Sequence, residues 1–396
     1  MRTVLDPVCP GCGGNYLEAV FQLTGVPANS CIVLKCQDAA VDYPRGDLDL
    51  VVCHCCGLVF NRAFEPELTE YSPRYEETQG WSPTFRRFHE ELAQELVKRH
   101  SLRGGRVLEI GCGKGEFLLL LSEIGGMHGL GFDPGYRPGF LEGRAARRVK
   151  VLSEPYVSGH LEAGCDLVCC KMTLEHVAQP LELLRELRRD LEGLPEARVF
   201  IMVPDAGRIL TGAAFEDVYY EHCNYFTEAS LSRIFQRSGF AVSGTCRRFH
   251  GQYLCLEAKT GEPPVHEDAA MESEIVLARS FSERVAALGT QWQRALEKWH
   301  EAKRRVVLWG SGSKSLAFVQ LTGAAALVEA LVDINPARQG SWQPGTGLPI
   351  RAPQELVEAP PDTIVVMNPV YREEIETLLG RLGLFPELYD LGGGPE

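Results

Sequence analysis

A chain of 396 residues with 45% hydrophobic and 23% charged positions has the composition of a multidomain globular protein with ample core. A formal net charge of −13, with no run of Lys and Arg, excludes generic nucleic-acid binding. "MRTVLDPVCPGCGG" lacks an apolar signal core, no apolar run is long enough to span a bilayer, and fourteen cysteines, several inside apparent strands, suggest a reducing cytoplasm.

Residues 1–78 are cysteine-rich, with short strand-like runs. "CPGCGG" and "CHCCGL" each contain C-x-x-C-G, pairing Cys9 with Cys12 and Cys53 with Cys56. Two such turns supply four thiolates, the tetrahedral set that structural Zn²⁺ prefers, and the glycine after each pair lets the turn close. A redox C-x-x-C or merely buried thiols are the alternatives. Cys55 lacks the spacing, and Cys31 and Cys36 lack the pattern. Four protein ligands would close the site, so zinc there would hold the fold rather than do chemistry.

From 79 to 262, apolar strands alternate with amphipathic helices, the pattern of a parallel α/β sheet. "RVLEIGCGKGEFLLLLSEIG" begins as a buried strand, turns through Gly111, Gly113 and Gly115, and becomes a helix. Glycine lets backbone approach a nucleotide-type ligand at such a turn. The next strand, "GMHGLGFD", ends in Asp133, where an acid can accept both ribose hydroxyls. With Glu109 ahead of the first glycine, the pattern resembles motif I of class I S-adenosylmethionine (SAM) methyltransferases; a nicotinamide dinucleotide site is the alternative. "CDLVCCKMTLEHV" and "ARVFIMVP" are similar to their fourth and fifth strands, and "GFAVSGTCRR" with "GQYLCLEAK" to their terminal antiparallel pair. The cofactor contacts expected from this are Glu109, Gly111, Cys112, Gly113, Asp133, Pro134, Lys171 and Met172. His176, in "LEHV", either shapes the turn beside SAM or meets the substrate.

"DVYYEHCNYFT" (217–227) has no helix or strand period, and Thr227 is a candidate N-cap for the next helix. As a loop after the fifth strand it belongs at the carboxyl edge of the sheet, where open α/β folds bind ligands. A carbon nucleophile needs a base to remove a proton α to a carbonyl. His222 suits that role, with Glu221 to orient it and tyrosine hydroxyls such as that of Tyr219 to stabilise the enolate. The alternative is an aromatic lid over the cofactor.

"TGEPPVHEDAA" (260–270) reads as a linker, and one long amphipathic helix is expected over roughly 269–303. A smaller α/β unit follows from "RRVVLWGSGSKS", within a third block of 263–396. Gly310, Gly312 and Ser313 form a turn at a helix N-terminus, a candidate anion site, or a degenerate unit used for packing. It has no obvious ribose acid, because "VDINP" offers Asp333 in a different context, which weakens a dehydrogenase reading.

Over nearly its whole length the chain resembles the sugar-nucleotide C-methyltransferases, which methylate C3 of 4-keto-deoxyhexoses attached to a nucleoside diphosphate. The resemblance implies a small zinc-ribbon-like N-terminal domain, a seven-stranded Rossmann-like class I sheet and a second, smaller Rossmann-like domain. It places structural zinc on Cys9, Cys12, Cys53 and Cys56, and "VPANSC" is similar to the family's Pro-Ala-Asn segment. Its Tyr-x-Glu-His motif maps onto Tyr219, Glu221 and His222, with the histidine as base and His176 close to the sugar. A further family tyrosine falls on Tyr71 or Tyr75; Tyr75 is preferred, with Gln79 one turn later against the cofactor. Substrate contacts are expected from Asn224, Tyr225, Gly310, Gly312, Ser313 and Lys314, the C-terminal domain holding the nucleotide end. The implied partner is a small molecule, with no nucleic acid and no membrane. An O- or N-methyltransferase for another metabolite, or a non-catalytic zinc-bearing scaffold, are the competing readings.

Overall fold

The runs "RVLEI" and "LVCCK" are too apolar for a strand with one wet face. In the computed structural model, which describes residues 8–161, 164–261 and 271–395, both lie inside a seven-stranded sheet. Its order is Phe240–Arg248, Tyr253–Thr260, Arg198–Pro204, Leu167–Lys171, Arg106–Ile110, His128–Phe132, Val149–Leu152. The last five are mutually parallel, and Tyr253–Thr260 joins them antiparallel, pairing in turn with Phe240–Arg248. The expected α/β class and seven-stranded class I sheet are therefore present.

A four-stranded antiparallel sheet precedes it, built from Leu17–Pro27, Arg45–Cys53 and Val59–Asn61. Its fourth strand, Asn224–Tyr225, comes from the tyrosine–histidine loop and pairs with Val59–Asn61. A third sheet of six strands carries Val306–Trp309 near its middle, flanked in parallel by Ala330–Val332 and Thr363–Val366.

These units share hydrophobic cores. Leu48 and Leu50 of the first sheet pack in one cluster with Trp292, Leu308 and Leu331 of the C-terminal part. Cys9, Cys53 and Cys56 pack with Leu108, Val168 and Phe226 of the central part. Full burial of one such apolar side chain contributes roughly 1.5–3 kcal/mol, so these contacts fix the units relative to one another.

Residues 262–270, the expected linker, lie outside the described residues. The single long helix does not occur: Met271–Arg279 and Phe281–Glu301 are separate helices. Ser280 between them keeps helical-region angles (φ −84°, ψ −5°), and its hydroxyl donates to the Leu277 carbonyl at 3.2 Å. A serine competing for backbone partners can interrupt a helix without Pro or Gly. Among the described residues no helix is long and apolar enough to cross a membrane.

Candidate active site

A cavity of about 660 Å³ opens at the carboxyl ends of the central strands and is closed on its far side by the C-terminal unit. Its volume is that of an ordinary small-molecule site.

At one end the strand Arg106–Ile110 turns through Gly111 and Gly113, with φ of +67° and +53°. A Cβ on Gly111 would sit 2.1 Å from Thr173 Oγ1, and one on Gly113 would sit 2.6 Å from Glu77 Oε1. Only glycine fits both positions, which leaves the backbone bare toward the cavity. Asp133, just past His128–Phe132, accepts from Gly113 N at 2.9 Å and from Gly135 N at 2.8 Å. Burial raises its pKa, and these two amides pull it back. Cys112, Pro134, Lys171 and Met172 also line this end. Gln79 accepts from Tyr371 Oη at 2.8 Å and donates to Tyr253 Oη at 3.3 Å, so the 71–81 segment borders the cavity.

Glu109 departs from expectation. It does not line the cavity but lies beneath it, 2.7 Å from Lys171 Nζ in a buried ion pair. Lys171 Nζ also lies over the Phe117 ring, 4.2 Å from its centroid. Glu109 therefore fixes Lys171, and Lys171 faces the cavity.

The middle of the cavity holds the tyrosine–histidine loop. His222 Nε2 lies 2.5 Å from Tyr219 Oη, and the His222 ring stands 4.8 Å from that of His176. His176 Nδ1 meets Tyr71 Oη at 3.0 Å. Of Tyr71 and Tyr75, Tyr71 is thus the one in direct contact with this pair. Tyr75 packs on Tyr71 at 5.3 Å between centroids and bridges Ile32 through its backbone. Gln79 is not one helical turn beyond it, because the segment between them is not helical.

Burial lowers the pKa of His222 well below the imidazole range, helped by His176 and Lys314, and takes His176 down to about 4. Both rings are neutral near pH 7, so deprotonating His222 is not what a pH rise there would do.

The carboxylate expected to orient His222 is elsewhere. Glu221 accepts from Ser30 N at 2.9 Å, Asn29 Nδ2 at 3.1 Å and Ser30 Oγ at 2.5 Å. Asn29 and Ser30 belong to the "VPANSC" segment. Facing His222 Nε2 at 4.0 Å is Glu175 Oε1 instead. Its one sequence cue was the place beside His176.

Asn224 and Tyr225 do not line the cavity. Their backbone pairs with Val59–Asn61, Asn224 Nδ2 donates to Val177 O at 2.7 Å, and Tyr225 Oη donates to Tyr219 O at 3.3 Å. Both brace the loop.

At the other end Gly310, Gly312, Ser313 and Lys314 do line the cavity, around the start of the helix Ser313–Thr322. Lys314 bonds Asp217, which also pairs with Arg208. Asp333, passed over in the sequence, accepts from Ser311 N at 3.1 Å and from Asn335 N at 2.8 Å. It thus holds its glycine turn as Asp133 holds the first one, with Arg338 3.7 Å away.

Apart from the cavity, Cys9, Cys12, Cys53 and Cys56 bring four sulfurs within 4.8 Å of one another. Gly11 N, Gly14 N and Cys55 N donate to Cys9, Cys12 and Cys53 Sγ, each at 3.4 Å. Amides aimed at sulfur suit thiolates, so the donor set fits a tetrahedral metal such as zinc, while Cys55 is exposed and outside the set.

A family model described as a methyltransferase domain matches residues 85–243, and one described as the C-methyltransferase C-terminal domain matches 261–381. The chain is 25% identical to C-methyltransferase NovU of Streptomyces niveus over 402 residues, covering 95% of this chain and 93% of that protein. Among solved structures it is similar to a Burkholderia thailandensis 1,6-didemethyltoxoflavin-N1-methyltransferase with bound S-adenosylhomocysteine (TM-score 0.34, 19% identity, 44% of this chain and 79% of that one). It is also similar to magnesium protoporphyrin IX methyltransferase from Synechocystis PCC 6803 with bound S-adenosylhomocysteine (TM-score 0.34, 18% identity, 45% and 84%). Sheet, glycine turn and family models make this chain a SAM-dependent methyltransferase. Within that class it is a C-methyltransferase, carrying that group's C-terminal domain and aligning with NovU over 95% of its length.

Proposed function

We propose that the enzyme methylates carbon α to a ketone, at C3 of a nucleoside-diphosphate 4-keto-deoxyhexose. The observation that carries this reading is the placement of a neutral, buried His222 between two glycine turns in one cavity, each turn with its own strand-end acid. Bound SAM would supply an electrophilic methyl group. Asp133 and the Gly111–Gly113 turn are positioned for its ribose and amino-acid portions. The Gly310–Gly312 turn, the start of the helix Ser313–Thr322, Lys314 and Arg338 suit an anionic nucleotide end. The cysteine cluster holds structural zinc in this reading.

His222 Nε2 takes the α-proton, and the C–H electron pair becomes the enolate. The substrate C–H displaces the Tyr219 hydroxyl from Nε2, freeing it to donate to the enolate oxygen. His176, held by Tyr71, sets the wall opposite. Since methyl carbon, sulfur and nucleophile must lie in line, positioning supplies much of the acceleration.

The test is solvent deuterium exchange at the α-carbon of a nucleoside-diphosphate 4-keto-deoxyhexose in the presence of S-adenosylhomocysteine, followed by NMR of the methylated product. His222→Ala is expected to lose roughly 10²–10⁴-fold in exchange with cofactor affinity retained. A methyl group found on oxygen or nitrogen, or full exchange by His222→Ala, would sink the reading.

A further inference from the structure

Glu175 is an acid with no evident structural purpose. It sits in the short 3-10 turn Leu174–His176, with side-chain exposure of 2%, and its Oε1 lies 4.0 Å from His222 Nε2. Neither carboxyl oxygen reaches a hydrogen-bond partner at good geometry among the described residues. A buried carboxyl left like this is a destabilising choice unless its partner forms during the reaction. Cys223 Sγ donates to the Glu175 carbonyl at 3.4 Å, so the residue is braced by the very loop that carries His222. The other carboxylate of that loop, Glu221, is saturated by Asn29 and Ser30.

We propose that Glu175 is the positioning residue for the base: its ionised carboxylate receives the imidazolium N–H formed when His222 takes the substrate's α-proton. The inference rests on the reading of His222 as that base. The balance is simple. The C–H bond breaks, its electron pair goes to the enolate, the proton goes to Nε2, and no proton leaves the site. If Glu175 is ionised, the step makes an imidazolium–carboxylate pair from a neutral ring and a carboxylate. If Glu175 is protonated, only the enolate balances the imidazolium, and methyl transfer, which consumes the enolate, leaves a buried cation alone.

The protonation of Glu175 therefore decides whether the base can act. Burial pushes its pKa up to about 8, only partly offset by the backbone amides of Glu175 and Thr173. The histidines, tyrosines and thiols around it do not titrate between pH 6 and 8. His222 and His176 are already neutral. Burial keeps the hydroxyls of Tyr71, Tyr219 and Tyr253 and the thiols of Cys170 and Cys223 protonated. Lys314, which faces His222, is paired with Asp217. Burial also brings Glu77, farther along the cavity wall, to about 7, so a rise in rate over this window is assigned to Glu175 by its loss in Glu175→Gln, and not to the histidine.

The experiment is the pH profile of α-proton exchange on a nucleoside-diphosphate 4-keto-deoxyhexose by the full chain with S-adenosylhomocysteine. Wild type is expected to rise about tenfold per pH unit below about pH 8 and then level off. Glu175→Gln is expected to exchange 10–100-fold more slowly and with a flat profile, roughly the worth of a lost charge-assisted hydrogen bond. Glu175→Asp should restore the slope in part, and Glu221→Gln should keep the wild-type slope. A wild-type slope in Glu175→Gln, while His222→Ala is dead, overturns the inference and spares the base assignment. Should wild type exchange nothing, the base reading fails and the inference falls with it; where wild type exchanges, infrared difference spectra of the protein alone read the acid's state. A protonated-carboxyl band that titrates near pH 8 and is absent from Glu175→Gln supports the inference; no such band overturns it.

Discussion

The carboxylate of Glu221 accepts a hydrogen bond from the backbone N–H of Ser30 at 2.9 Å, across 191 positions of sequence. With Asn29 Nδ2 at 3.1 Å it ties the tyrosine–histidine loop to the segment just past the strand Leu17–Pro27. Glu221→Gln would turn an acceptor into a mixed amide facing three donors, Ser30 N, Ser30 Oγ and Asn29 Nδ2. A loss of about 1.5–3 kcal/mol in stability is expected, read from urea unfolding. Cofactor affinity should hardly change. An unaltered midpoint with reduced exchange would instead make Glu221 a direct participant.

Glu109 and Lys171 form a buried pair, and removing one partner leaves the other charge alone. Glu109→Ala is expected to destabilise by about 3–5 kcal/mol. Pairing Glu109→Leu with Lys171→Met should recover most of that loss. If the double variant is as unstable as the single one, the pair is not the reason for the defect.

Asp133 is expected to matter for affinity more than for folding. Asp133→Ala removes a charged acceptor from the cavity wall and frees Gly113 N and Gly135 N. Calorimetry with S-adenosylhomocysteine should show binding weaker by roughly 1.5–3 kcal/mol. Unchanged affinity would remove this strand end from the cofactor site.

Cys53→Ser should lower metal content and soluble yield together, measured as zinc per chain after dialysis. Cys55→Ser should change neither, since Cys55 is exposed and outside the sulfur cluster. Equal losses in both variants would mean a different ligand set.

Thermal stability should also carry the mark of Glu175. Its folded pKa, about 8, lies above the ordinary carboxyl value of 4.5. The favourable contribution is complete below the ordinary value and is lost as pH rises through 8. Glu175→Gln removes this dependence, so its melting temperature relative to wild type should rise by a few degrees between pH 6 and pH 9. A constant difference would show that the acid is already ionised at pH 6.

Much of this was readable in the chain. Gly111, Gly113 and Asp133 were legible because a strand–turn–helix with a strand-end acid leaves few alternatives. The doubled C-x-x-C-G was legible because metal geometry constrains spacing. What escaped were relationships made by folding. Glu175 looked like part of a common turn, since nothing in "LEHV" tells which way a side chain will face. Glu221 seemed the natural partner of His222 by adjacency, yet neighbours on a bent loop point apart. Asn224 and Tyr225 form a strand two residues long, too short for any periodicity. Asp333 was set aside because "VDINP" offers it in a different context, although Ser311 N meets it as Gly113 N meets Asp133.

The pairing of Val59 with Tyr225 and of Phe60 with Asn224 bears on how such enzymes can be recombined. A methyltransferase segment cut out at 85–243 would carry His222 on a loop whose strand partner had stayed behind. Exchanging that segment between relatives to alter what they methylate would set a foreign edge against the cysteine-bearing sheet. A graft that keeps catalysis has to move Val59–Asn61 and "VPANSC" together with the tyrosine–histidine loop, as one inherited unit.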